Sequence, residues 1–179
     1  MKYSPLGIKS EYTLLTSLIK INDLINFAKQ NNITALGLLD NNLNGVMEFF
    51  DSCVANDIKP IIGLKVRIND SNYYLYAKNY QGYLALVKIN NKIVLEESVS
   101  LGDLESSDIY VVIPYEFKSN YEELKTIKNI NDIYIAYTNL EEKKNLSLVI
   151  SNILFIKEIR CFNSGDTVYL EYLKKIGDN

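Results

Sequence analysis

No histidine occurs anywhere in the 179 residues. That one absence removes the Ser-His-Asp triad, the Cys-His dyad, imidazole acid/base chemistry and every His-ligated metal site. The two cysteines, Cys53 and Cys161, stand too far apart in sequence for a CxxC redox or zinc site. They are expected as reduced thiols in a cytoplasmic protein. Hydrophobic residues make up 47% and charged residues 23%, enough to build one core of useful size and hence a single domain over residues 1–179. Lys and Arg total 19 against 22 Asp and Glu, a net charge of -3, so no strong direct DNA binding is expected. Met1 to Ile8 has one Lys and no apolar h-region, so no signal peptide is expected there. No apolar run approaches the ~20 residues that span a bilayer, so no membrane association is expected. The triplets Asn32-Ile33-Thr34 and Asn145-Leu146-Ser147 read as chance glycosylation matches.

Strand-like and helix-like segments alternate. Tyr3 to Ile8, Ala35 to Leu39, Ile61 to Ile68, Tyr73 to Ala77, Ile109 to Ile113, Ile133 to Tyr137 and Ile153 to Ile159 read as strands. Asn22 is placed to cap a helix running to about Asn31, with Ile21, Leu24, Ile25 and Ala28 on one face. Asn44 is placed to cap the next, with Met47, Phe50 and Val54 at helical spacing. Gly82 to Ile89, Asn120 to Lys128, Leu140 to Ile150 and Asp166 to Ile176 complete the helices, and Asn90 to Ser107 reads as a polar connection. About seven strands alternating with six helices predict parallel βα units in an α/β fold.

In such folds the chemistry collects beyond the C-terminal ends of the strands. Those positions hold Gly7 to Glu11, Asp40 and Asn41, Lys65, and Glu158 with Arg160. This mixture of cations and isolated carboxylates is no cage for a hard divalent ion. Neither GxGxxG nor GxxxxGK[ST] occurs, so no phosphate cradle is predicted. Tyr74-xxx-Lys78 and Tyr121-xxx-Lys125 have dehydrogenase-like spacing but lack a glycine-rich nucleotide loop. Adjacent pairs such as Glu96-Glu97 and Glu141-Glu142 point apart and read as solvated or early-helix residues. The tyrosines clustered from Tyr73 to Tyr83 read as core and interface aromatics.

Lys9-Ser10-Glu11-Tyr12-Thr13-Leu14-Leu15 resembles the HxHSEYSLLDG opening of the PHP (polymerase and histidinol phosphatase) domain of bacterial DNA polymerase III α subunits. Ala35 to Asn41 resembles that family's ALALTDH, Lys59 to Gly63 its KPIIGxE, and Leu75 to Asn79 with Gly82-Tyr83 its LLAKNxxGY. Lys157 to Phe162 is similar to its NDVHYL. The resemblance implies a distorted (β/α)7 TIM-like barrel. It also implies the N-terminal part of a longer DNA-directed DNA polymerase, a nucleotidyltransferase of DNA replication, that continues beyond Gly177-Asp178-Asn179.

Active members of the family hold up to three metal ions through His, Asp and Glu. At the corresponding positions this sequence has Gly7 and Lys9 for HxH, Thr16 for an Asp, and Asn41 beside a retained Asp40. Lys65 stands for a Glu, and Glu158 and Arg160 for the DxH near the end. Six of these eight positions have lost ligand chemistry. A lysine ammonium about 5 Å from a divalent ion repels it by roughly 7 kcal/mol at an effective dielectric of about 20. The expectation is a catalytically degenerate metal site, with no catalytic residue, metal or other cofactor in this domain, its lysines replacing the metal's positive charge and pairing with Asp40. The implied role is structural, bracing the polymerase, with the remainder of the polymerase chain and other replisome proteins as partners. Two alternatives stand beside it. One is a residual metal-dependent phosphoesterase working through Asp40 and Glu158. The other is an anion-binding or protein-docking module using Lys9, Lys65 and Arg160.

Overall fold

The computed structural model describes residues 4–177, a mixed α/β fold whose chain divides into two compact units. The first contains the chain up to Ile62 and again from Glu158; the second is Gly63–Lys157.

In the first unit, α1 (Ile21–Gln30) buries Ile21, Leu24, Ile25 and Ala28, the stripe that the 3.6-residue period marks out. Its cap is Lys20, in extended backbone, and not Asn22, which lies in the first turn: burial of Ile21 draws the start two residues earlier. Strand β1 (Ala35–Asp40) is buried from Leu36 to Asp40, as a strand covered on both faces should be. Ile8 bridges it in parallel at Leu38 and bridges Ile159 in parallel on the other side. Of the strand expected over 3–8, Tyr3 lies outside the described residues and Ile8 alone pairs. The last expected strand shortens likewise to β6 (Ile153–Phe155) plus that bridge at Ile159. Gly37 is required by this crowding, because a Cβ there would stand 2.7 Å from the Leu6 Cα.

Helix α2 (Val46–Val54) corrects the expected face. Val46, Phe49 and Cys53 are buried, whereas Met47, Phe50 and Val54 are exposed. Both triplets have the i, i+3, i+7 spacing, so periodicity alone does not choose between them. The cap is Gly45 and not Asn44, and glycine is needed there because a Cβ at position 45 would stand 2.5 Å from the Tyr12 ring. The chain then enters β2 (Lys59–Ile68), where the Lys59 N–H donates to the Thr34 carbonyl at 2.9 Å. After Glu158 come a short 3-10 turn and α6 (Thr167–Gly177), none of whose residues is buried.

In the second unit, β2 pairs antiparallel with β3 (Ser71–Ala77), which pairs antiparallel with β4 (Ile109–Pro114). Parallel pairing, expected throughout, holds from β4 to β5 (Ile133–Tyr137) and from β5 to β6. Only Asn69 and Asp70 separate β2 from β3, a link fit for a hairpin and far too short for a crossover. Asn69 takes the positive φ of 44° that such a turn demands.

Helix α3 (Tyr80–Val94) begins on the Asn79 side chain, which accepts the Gly82 N–H at 3.0 Å, and runs five residues beyond the expected Ile89. Part of the expected polar connection is therefore helix. The rest is anchored by buried Leu104 and by a Lys92–Asp103 ion pair at 2.5 Å. Helices α4 (Tyr121–Lys125) and α5 (Leu140–Ser147) are shorter than expected. Among the described residues six strands and six α-helices are formed.

Candidate functional site

The parallel bridges of Ile8 bring the 7–17 segment against the end of β1 and against residues 158–160, all in the first unit. Lys9 N–H donates to the Ile159 carbonyl at 2.9 Å, and Leu18 N–H to the Arg160 carbonyl at 2.8 Å. Ser17 ties the three together: its hydroxyl lies 2.7 Å from the Lys9 carbonyl and 3.2 Å from that of Arg160, and accepts the Ile19 N–H.

Asp40 ends β1 with its side chain fully buried. Ser10 donates to its carboxylate through both the backbone N–H (2.8 Å) and the hydroxyl (2.5 Å). The Thr13 hydroxyl donates a third bond at 2.6 Å. Burial pushes the Asp40 carboxyl above its ordinary pKa, and the Ser10 and Thr13 bonds and the Lys9 charge act against that rise. Lys9 is itself only 2% exposed, and its ammonium donates to the Asn41 side-chain oxygen at 2.6 Å. A carboxylate and an ammonium are thus both withdrawn from water in one site, where each lowers the cost of burying the other.

The neighbouring positions are also engaged within the protein. Arg160 donates to Glu158 at 2.6 Å, so the two residues that stand for the family's DxH pair with each other. The Thr16 hydroxyl donates to the Thr13 carbonyl at 3.0 Å. Gly7 is buried, and its carbonyl accepts the Ile159 N–H at 2.9 Å. Seven of the eight sequence-predicted positions therefore share the first unit. The eighth, Lys65, belongs to the second, on β2 opposite Tyr74, with its ammonium 5.8 Å from the Tyr74 ring centre.

Sequence reasoning missed the two hydroxyls that hold Asp40, although Ser10 and Thr13, three residues apart, were already in view as letters of a motif. It also missed the flank of the site, where the Tyr12 hydroxyl donates to Glu48 at 2.7 Å and Glu11 keeps one buried oxygen without a hydrogen-bond partner. The Glu48 bond raises the Tyr12 pKa, and burial raises that of Glu11. Glu11, Tyr12, Thr13, Asn41 and Asn42 line an open recess of about 620 Å³. Of the dehydrogenase-like pairs, Tyr74 lies on a strand, and Lys78 is bonded to Asp132.

These donors do not fit a divalent cation. Asp40 is saturated by three donors, Glu158 is paired with Arg160, and an ammonium is buried beside them. Among the described residues no group of three or more His, Cys, Asp and Glu side chains is placed to hold a metal.

The sequence model of the PHP domain matches residues 6–139. The chain belongs to the PHP domain family. Its relatives include "DNA polymerase III subunit alpha" of Ureaplasma parvum serovar 3, 37% identical over 108 residues, which are 60% of this chain and 11% of that protein. The protein of the same name from Staphylococcus epidermidis is 29% identical over 182 residues, 97% of this chain and 17% of its own length. A Staphylococcus aureus counterpart is 28% identical over 159 residues, 84% of this chain and 15% of its own length. This PHP chain therefore spans less than a fifth of the length of these relatives. Among its described residues no helix is long and apolar enough to cross a membrane.

Proposed function

We propose that this PHP domain has exchanged metal-dependent phosphoester hydrolysis for a structural role, bracing a DNA polymerase III α-type polypeptide during DNA synthesis. One observation carries the reading. Lys9, at a position where active members have a metal-binding histidine, is buried with its ammonium on Asn41, another such position, and its charge acts on Asp40. The protein's own cation thereby stands in for the metal's charge. Arg160, bonded to Glu158, does the same at the DxH positions. The proposed architecture is the family's distorted (β/α)7 barrel over the whole chain. Six strands, and an Ile8 segment that bridges both Leu38 and Ile159, support it.

Calorimetric titration with Mn²⁺ and Zn²⁺ tests the reading, together with hydrolysis of a generic phosphodiester. The expected results are no stoichiometric binding tighter than about 1 mM and no metal-dependent rate. Tight stoichiometric binding, or a rate lost in Asp40→Ala, would restore the phosphoesterase.

A further inference from the structure

Helix α6 is formed but hardly packed. None of its 11 residues is buried, and only Leu170 and Leu173 among its large apolar side chains are half-buried. Tyr169, Tyr172 and Ile176, at i, i+3, i+7 spacing, are 56–63% exposed. A helix this short is marginal in water and takes its stability from an apolar face laid against a neighbour.

The segment after Thr13 continues the same surface within the first unit. A Cβ on Gly177, at the end of α6, would stand 3.3 Å from the Leu15 side chain. Leu15 is 41% exposed and Leu14 80%. Leu15 also holds a φ of 59°, a left-handed conformation rare for a bulky side chain. Strain of this kind gathers at binding and switch segments, and contiguous exposed apolar patches mark interaction sites.

We infer that the Tyr169, Tyr172 and Ile176 stripe, with Leu14 and Leu15, seats an apolar segment of the polymerase polypeptide from outside residues 1–179. The inference rests on the reading above, that this domain braces such a polypeptide, and names the surface through which it does so. The regions that match this chain are 11–17% of the length of the relatives. A segment joined to the domain in one polypeptide meets it at an effective concentration of about 1 mM. A second copy or another protein, free in solution, competes from far lower concentration. At equal quality of contact the linked segment therefore occupies the surface.

The test uses the whole polypeptide that carries this domain. Benzoylphenylalanine replaces Tyr172 or, separately, Leu14, and crosslinks are mapped in an equal mixture of isotopically light and heavy polypeptide. The expected crosslinks join peptides of one label only, and from both positions reach one segment outside residues 1–179. Amide hydrogen exchange on the same polypeptide should be slowed at least about a hundredfold over residues 167–177. Tyr172→Asp combined with Ile176→Asp should remove at least about tenfold of that protection.

Mixed-label crosslinks would place a second copy on the surface and overturn the inference. Absence of crosslinks from both positions, or unprotected amides over 167–177, would leave the surface bare and overturn it too. Those results leave the metal-free reading of Asp40 standing, whereas tight Mn²⁺ binding overturns that reading and leaves the surface intact. A gene that encodes no longer polypeptide would remove both.

Discussion

Asp40 is held by three donors in a place closed to water, and its charge is offset by an equally buried Lys9. Asp40→Ala would strand the Ser10 and Thr13 donors and leave the ammonium without that carboxylate. Leaving buried donors without their acceptor costs about 1–3 kcal/mol for each, which urea unfolding should read directly. Thr13→Val, which deletes the bond to Asp40 and a longer one from the Asn41 N–H, should cost about 1.5–3 kcal/mol. The pH dependence has an unusual sign. Because the folded-state pKa of Asp40 is raised, the native protein takes up its proton more readily than the unfolded chain does. Asp40's contribution is therefore most favourable below its ordinary pKa of 3.8, is lost as pH climbs to the raised native value, and is flat above it. In denaturation series from pH 4 to 7, the wild type should lose stability relative to Asp40→Asn over that window and then run parallel to it. The identity of this residue was legible in the sequence, as the retained Asp of a motif. Its partners were not, because Ser10 and Thr13 are common turn residues and only the Ile8 bridge brings them to the end of β1.

At the scale of elements, α3 shows how one small residue fixes a junction. A Cβ on Gly82 would stand 2.1 Å from the Asp108 carbonyl oxygen, a backbone atom with no rotamer to yield. Gly82→Ala should destabilise by about 1–3 kcal/mol, seen as a lower urea midpoint with an unchanged slope. Asn79→Ala, which removes the cap and an exposed side-chain bond to Asp108, should cost about 1 kcal/mol. The buried runs of β1, β4 and β5 were legible because a strand covered on both faces is apolar along its length. The direction of β3 was carried by the two-residue link before it, a stronger constraint than the alternation of strands and helices that suggested parallel pairing. The α2 face was ambiguous for a physical reason. A helix with two apolar stripes satisfies the same period twice, and only the Tyr12 ring against Gly45 and the burial of Phe49 decide which stripe turns inward.

For the whole molecule, the proposed reading makes stability independent of divalent cations. A ligand at a hundred times its dissociation constant adds about 2.7 kcal/mol to the folded state. That would raise the melting temperature by roughly 5–11 °C in a chain of this size. Scans in 1 mM Mn²⁺ and in EDTA should instead agree within about 1 °C. Family membership was legible at this scale because four short stretches lie in the family's order, and order survives when individual ligands do not.

The buried ammonium of Lys9 also bears on descent. A histidine put back at position 9 alone would withdraw the interior cation from Asp40, while Asn41 and the Glu158–Arg160 pair still offered no second or third ligand. On the proposed reading, that reversal costs stability before it returns any reactivity, so a lineage that acquires this lysine is held there as if by a ratchet.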